Sequence, residues 1–171
     1  MRAVAVLLIA LVLVGCSGSA TTYPVGGSNM EPVLRPGDRF AVDTSQSVGR
    51  GAIVMFNGPR SWPRLHPGEP SQFISRVIAL GGDTVACRHD RLLVNGATID
   101  EAYVRPGSHE CAGDAFEGKS VTVARDAVFV MGDNRDFSED SRVNGAVPRS
   151  DIVGVVMQIT SPSSRARTLP D

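Results

Sequence analysis

The sequence contains a single lysine, Lys119, in 171 residues, and arginine supplies the rest of its 17 basic side chains. Arginine keeps its proton under every relevant condition, so any chemistry that needs an uncharged side-chain amine has one candidate in the whole chain. No basic run exceeds two or three residues, and 17 basic against 18 acidic residues give a net charge of -1. That excludes the electrostatic footprint of a nucleic-acid binder. No stretch of the chain past the leader has convincing helical length and period, and there is no internal repeat. The apolar run from Ala3 to Val14 is too short to cross a bilayer as a stable anchor.

That run is preceded by Arg2 and followed by Leu13-Val14-Gly15-Cys16 and small polar residues, the pattern of an export signal ending in a lipobox. Residues 1–15 are expected to be removed before Cys16, and Cys16 to carry the lipid. The mature charge would be -2, since Arg2 alone is lost among charged residues. Membrane attachment would then come from acyl chains, each buried methylene contributing about 0.8 kcal/mol.

Composition, 42% hydrophobic and 20% charged, is that of one globular domain. Residues 16–24 read as a polar tether, 25–161 as the domain and 162–171 as a frayed tail. Within the domain, turn formers recur every eight to twelve residues between short β-rich runs, which predicts an all-β fold of antiparallel sheets with long loops. The predicted strands are 39–43, 52–56, 73–80, 84–87, 91–94, 120–123, 127–131 and 152–160. Pro36-Gly37-Asp38, Gly81-Gly82-Asp83 and Asn95-Gly96 mark turns, and His89-Asp90 the tip of a hairpin. Residues 57–71 and 105–118, rich in Pro and Gly, are expected to be loops outside the core.

Three ordered segments carry most of the information. They are Gly27-Ser28-Asn29-Met30-Glu31-Pro32-Val33-Leu34-Arg35-Pro36-Gly37-Asp38, then Phe73-Ile74-Ser75-Arg76-Val77-Ile78-Ala79-Leu80-Gly81-Gly82-Asp83, then Met131-Gly132-Asp133-Asn134-Arg135-Asp136-Phe137-Ser138-Glu139-Asp140-Ser141-Arg142. Together they resemble the bacterial type I signal peptidase family over about residues 25–160. The resemblance implies a signal-peptidase-like β fold. It also implies a serine nucleophile activated by a lysine kept neutral by burial. The family serine precedes Met in Ser-Met-x-Pro and its lysine precedes Arg in Lys-Arg-Val-Ile; here Asn29 and Ser75 stand in those places.

An asparagine amide has no nucleophilic oxygen of useful basicity, and a serine hydroxyl cannot accept a proton near neutral pH. Ser28 is the candidate for a displaced nucleophile, although a one-residue shift in an extended segment turns a side chain to the opposite face. Lys119 follows a Gly-rich loop and reads as a solvated lysine. His66, His89 and His109 fall in loops or at a hairpin tip, where surface histidines are the default. By position, the resemblance assigns Ser138, Asp140 and Arg142 to bracing the site, with Asp133 in the same loop. Asp140 and Arg142 are expected to form a structural ion pair that outlives the dyad. Gly27 stands where many relatives carry a serine that helps bind the oxyanion. Met30, Pro32 and Ile74 are expected along a substrate groove, with packing in the core the alternative for Met30.

Cys87 and Cys111 form an even pair in an exported chain, which favours a disulfide. The mirrored spacings Cys87-x-His89 and His109-x-Cys111 leave a zinc set as the alternative. No cofactor is implied. Three functional expectations remain: a catalytically silent lipoprotein with an extended-peptide-binding or regulatory role at the membrane, its partners exported preproteins or another signal peptidase; an active signal peptidase with a displaced nucleophile such as Ser28; and an envelope lipoprotein whose groove has closed.

Overall fold

The structure, a computed structural model, describes residues 21–62, 72–111 and 116–169. The leader, Cys16, His66 and most of the first predicted loop lie outside the described residues. In chain order the strands are β1 (Thr22–Pro24), β2 (Arg39–Asp43), β3 (Ile53–Asn57), β4 (Gln72–Leu80), β5 (Thr84–Arg88), β6 (Arg91–Val94), β7 (Ala97–Thr98), β8 (Ser120–Thr122), β9 (Ala127–Met131), β10 (Val147–Pro148), β11 (Ile152–Ser161) and β12 (Arg167–Thr168). One four-residue helix, α1 (Ser141–Asn144), is the α-helix among the described residues. The fold is all-β, and every strand pair is antiparallel.

The large sheet runs β1-β2-β11-β3-β4-β9-β10, with β12 added to β11, and the small sheet runs β7-β6-β5-β8. Alternation along β3 explains how the large sheet serves two cores. Ile53 and Met55 point into a cluster with Met30, Leu34, Phe40 and Ile159, while Val54 and Phe56 point into one with Trp62, Val77, Val130 and Val147. β9 is buried along its whole length because Ala127, Phe129 and Met131 face a third cluster shared with the small sheet, and Val128 and Val130 face the second.

All eight predicted strands are present, shifted by no more than a residue at their ends. Four further strands of two or three residues lie between and around them, too short to leave a periodic signal. The His89-Asp90 hairpin joins β5 to β6, both tip residues having positive φ (52° and 54°). Glu117 accepts from both tip amides, at 2.8 and 3.0 Å, and fixes the turn.

The ends of the domain depart from expectation. Residues 22–24 of the expected tether form β1, which pairs with β2. Residues 162–169, expected to fray, instead dock on the domain. Arg165 reaches the buried Asp38 carboxylate through two bonds, at 2.7 and 2.8 Å, β12 pairs with β11, and Leu169 is buried in the Met30 cluster. A polar stretch concealed one cation with a buried partner and one apolar plug. The second predicted loop behaves similarly, since Cys111 and Phe116 are buried in the third cluster.

Cys87 and Cys111 are bonded to each other, 24 residues apart, so the thiols a zinc set would require are used in a disulfide. Closing a loop of that length restricts the unfolded chain by about 3.5 kcal/mol.

Asp83 shows how a turn is held. Burial alone would raise its carboxyl, but donors from the Asn95 side chain (2.8 Å), the Leu80 amide (2.8 Å) and Arg50 (2.8 Å) outweigh it and hold the pKa at about 2. A folded-state value below the unfolded one, about 3.9, stabilises the fold above about pH 4 and ceases to do so as pH falls through about 2. With some allowance for solvent, the contribution is about 1–2 kcal/mol. Asp83→Asn is therefore expected to lower stability at pH 6 by that amount and to flatten the acid limb of the stability curve between pH 4 and 2. Urea unfolding at a series of pH values measures both.

Candidate functional site

The three motifs meet at one end of the large sheet. The 27–38 segment leaves β1, turns back through bonds from Glu31 N to Ser28 O (3.1 Å) and Leu34 N to Met30 O (2.9 Å), and buries Met30 and Leu34 completely. The second motif is β4 itself. The third begins at the end of β9 and forms the loop before α1.

Buried charge holds them together. Arg76 on β4 donates two bonds to Asp133, at 2.9 and 2.8 Å, and a third to Gly51 O at 2.7 Å. Its guanidinium also lies 4.0 Å from the centre of the Tyr103 ring. Burial first, and then the neighbouring Glu101 carboxylate, push the Tyr103 hydroxyl up from its ordinary value, so it stays protonated and donates to Glu101 at 2.8 Å. Arg135, fully buried, pairs with Glu101 and donates to Gly132 O at 3.0 Å and to Glu110 O at 2.7 Å. Asp140 takes two bonds from Arg142, at 2.8 and 2.7 Å, and accepts from Gly132 N at 2.9 Å. Arg142 in turn donates to Arg135 O at 2.8 Å. Bidentate pairs of this kind fix geometry as well as charge.

The first motif is tied in through backbone. Asn134 N donates to Asn29 O at 2.9 Å, and Asn134 Nδ2 to Ser28 O at 3.0 Å. The approach is close: a Cβ on Gly132 would lie 2.5 Å from Asn29 O and 2.4 Å from Ser138 Oγ. Only glycine lets these two motifs touch.

Above this junction lies a cleft of about 490 Å³. Pro24, Gly26, Gly27 and Asn29 line one side, Gln72, Phe73, Ile74 and Ser75 the other, and Ser138 and Glu139 an end. Tyr23, Phe40, Phe56, Trp62 and Phe73 also line it, five of the nine aromatic residues in the chain. Phe56, Trp62 and Phe73 contact one another, with ring centroids 5.7–5.8 Å apart.

Asn29 and Ser75, 46 residues apart in the sequence, are neighbours here. Asn29 Nδ2 donates to Ile74 O at 2.8 Å, and Ser75 Oγ donates to the same oxygen at 2.8 Å. Both polar side chains are thus spent on one backbone carbonyl. Ile74 lines the cleft as expected, but Met30 and Pro32 do not: Met30 is fully buried with Leu34 and Phe40, because Asn29 faces the cleft and the tight turn after it sends the next side chain into the core. Ser28 is half-buried and is not among the lining residues. Lys119 is exposed and lines a separate depression with Ser120, Val121, Ser141 and Val143, which shares no residue with the cleft. His89 and His109 are exposed, and His109 Nδ1 lies 3.2 Å from Asp136.

Sequence reasoning did not foresee the aromatic lining or the role of Glu101 and Tyr103. The available signal for the latter was Asp133, Asn134 and Arg135 following five apolar residues of a buried strand, which demands buried partners from elsewhere.

Two substitutions test this junction. Gly132→Ala is expected to cost about 1–3 kcal/mol through overpacking against Asn29 and Ser138. Asp133→Ala is expected to cost about 3–5 kcal/mol, because it strands the Arg76 guanidinium without its partner. Urea unfolding compares them, and an unchanged midpoint in Gly132→Ala would contradict the contact.

Known proteins of one family match the chain. The family described as signal peptidase, peptidase S26 matches residues 1–160. Signal peptidase I of Mycobacterium tuberculosis is 32% identical over 212 aligned positions, covering 94% of this chain and 71% of that protein. Signal peptidase IB of Staphylococcus aureus is 31% identical over 169 positions, covering 90% and 83%. A crystal structure of a signal peptidase I from Enterococcus faecalis aligns at 30% identity and a TM-score of 0.49, covering 64% of this chain and 97% of that one. The family match over residues 1–160 and the similarity to the mycobacterial and staphylococcal enzymes show that the chain belongs to the signal peptidase (peptidase S26) family.

Proposed function

We propose that this protein binds extended peptides in the Asn29–Ser75 cleft at the outer face of the membrane and does not cleave them. The observation that carries the reading is the pair of bonds to Ile74 O. In a serine–lysine peptidase the two side chains at these positions exchange a proton, whereas Asn29 and Ser75 both donate to a backbone oxygen. Neither can take a proton from a nucleophile near neutral pH.

Peptide binding asks for nothing the site lacks. Strand addition needs an unpaired edge and pockets for alternate side chains. Pairing with β9 stops at Arg76, so among the described residues Gln72–Ser75 of β4 pair with β3 alone, and their open side with the apolar, aromatic-lined cleft supplies these. An exported preprotein, or a segment of another signal peptidase, is the ligand class that fits the family. The lipid on Cys16 would keep the cleft within a short tether of the bilayer, since only residues 17–21 separate it from β1.

The decisive experiment is incubation of the full chain, in detergent, with a preprotein whose signal ends in Ala-x-Ala. No cleavage is expected. Cleavage that disappears in Ser28→Ala would overturn the reading in favour of a displaced nucleophile. The double variant Asn29→Ser with Ser75→Lys is expected to regain measurable hydrolysis in the same assay, because the bracing charges around the cleft are in place.

The anchor has its own test. Labelled palmitate fed to cells expressing the chain is expected to enter the wild-type protein and to be absent from Cys16→Ser, which should also leave the membrane fraction. Equal labelling of the two would refute lipidation at Cys16.

A further inference from the structure

The direction of the backbone along β4 decides what a bound strand would meet. Val77 N donates to Ala52 O at 2.9 Å and Gly51 N donates to Val77 O at 2.8 Å, so the polar groups of Val77 face the β3 side. Backbone groups alternate along a strand. Ser75 therefore faces β3 as well, while Gln72, Ile74 and Arg76 face the opposite side. On that side β9 reaches only as far as Met131, which pairs with Arg76. Among the described residues no strand covers Ile74 there, and its carbonyl stands on the open edge beside the cleft.

A carbonyl oxygen has two lone pairs. At Ile74 one accepts Asn29 Nδ2 and the other Ser75 Oγ, each at 2.8 Å. An incoming strand thus finds an edge whose acceptor at this position is already filled. The orientation of the Asn29 amide follows from the chemistry, since only its nitrogen can donate to a carbonyl.

We propose, on the footing of the peptide-binding reading above, that Asn29 is a specificity-determining residue: it fills the Ile74 acceptor and makes the cleft select peptides that carry no N–H opposite it. The ligand class is an extended peptide with proline, or an N-alkylated residue, at that one position. A peptide N–H placed there is desolvated and finds no acceptor, a cost equivalent to roughly three- to tenfold in affinity at the lower end of the range for an unsatisfied buried donor. Proline has no N–H to strand. Without the Asn29 amide the preference reverses, because Ile74 O then seeks a donor.

The test uses a short fluorescein-labelled peptide containing Ala-x-Ala and a set of its derivatives, each with one backbone amide N-methylated in turn. Anisotropy titrations compare the full-length wild type with Asn29→Ala and Asn29→Ser. At one position, methylation is expected to tighten binding to the wild type roughly three- to tenfold and to weaken binding to Asn29→Ala by a similar factor. Asn29→Ser, which keeps a smaller polar side chain and the backbone bond from Asn134, guards against loss of fold and is expected to follow Asn29→Ala. Methylation profiles that superimpose in wild type and variants would overturn the role of Asn29 while leaving peptide binding intact. Failure of every peptide to bind any of the three proteins would overturn the peptide-binding reading, and this inference with it.

Discussion

The Arg76–Asp133 pair is the constraint on which the rest of the site depends. It crosses from the middle of β4 to the loop after β9, and both side chains are almost wholly removed from water. A guanidinium and a carboxylate in such surroundings must stay together, since either alone would bear the cost of burial uncompensated. Everything that follows Asp133 in the chain inherits its position: Asn134 reaches the backbone of Ser28 and Asn29, Arg135 is enclosed by Glu101 and Glu110, and Asp140 with Arg142 closes the loop. Three segments separated by tens of residues become one rigid corner.

Such a frame does not depend on which side chains stand at positions 29 and 75. Arg76, Asp133, Asp140 and Arg142 solve a structural problem, the satisfaction of charges inside a β core. Their removal would unfold the corner whether or not a reaction takes place above it. Asn29 and Ser75 sit over this support and meet no such demand. Among the described residues their side chains bond to the Ile74 carbonyl and to none of the bracing charges, so chemistry at these two positions can change while the frame stays fixed.

Much of the fold was legible in the sequence because its central strands are long or continuously apolar. β9, five apolar residues in a row, and β4, with its turn at Gly81-Gly82-Asp83, are examples. The edge strands β1, β7, β10 and β12 were not legible, since two or three residues carry no period and form only where a neighbour offers an edge. The docked end of the domain was hidden for a related reason: Arg165 looks like any solvated arginine until Asp38 is seen buried beside it. At the site, motif matching located Asn29, Ser75 and the acidic loop. It could not foresee that both side chains would converge on a backbone oxygen, an atom every residue possesses. Nor could it gather Tyr23, Phe40, Phe56, Trp62 and Phe73, spread over fifty residues, into one cleft, or tell that Met30 would turn away from it.

The aromatic lining has an optical consequence. Trp62 is the only indole in the chain, and it stands at the cleft against Phe56 and Phe73, nearly shielded from water. The protein therefore carries a native fluorophore at its candidate site, with no second indole to blur the signal once excitation is set beyond the tyrosine band, and whatever enters or rearranges that recess will register in the wavelength and polarisation of its light.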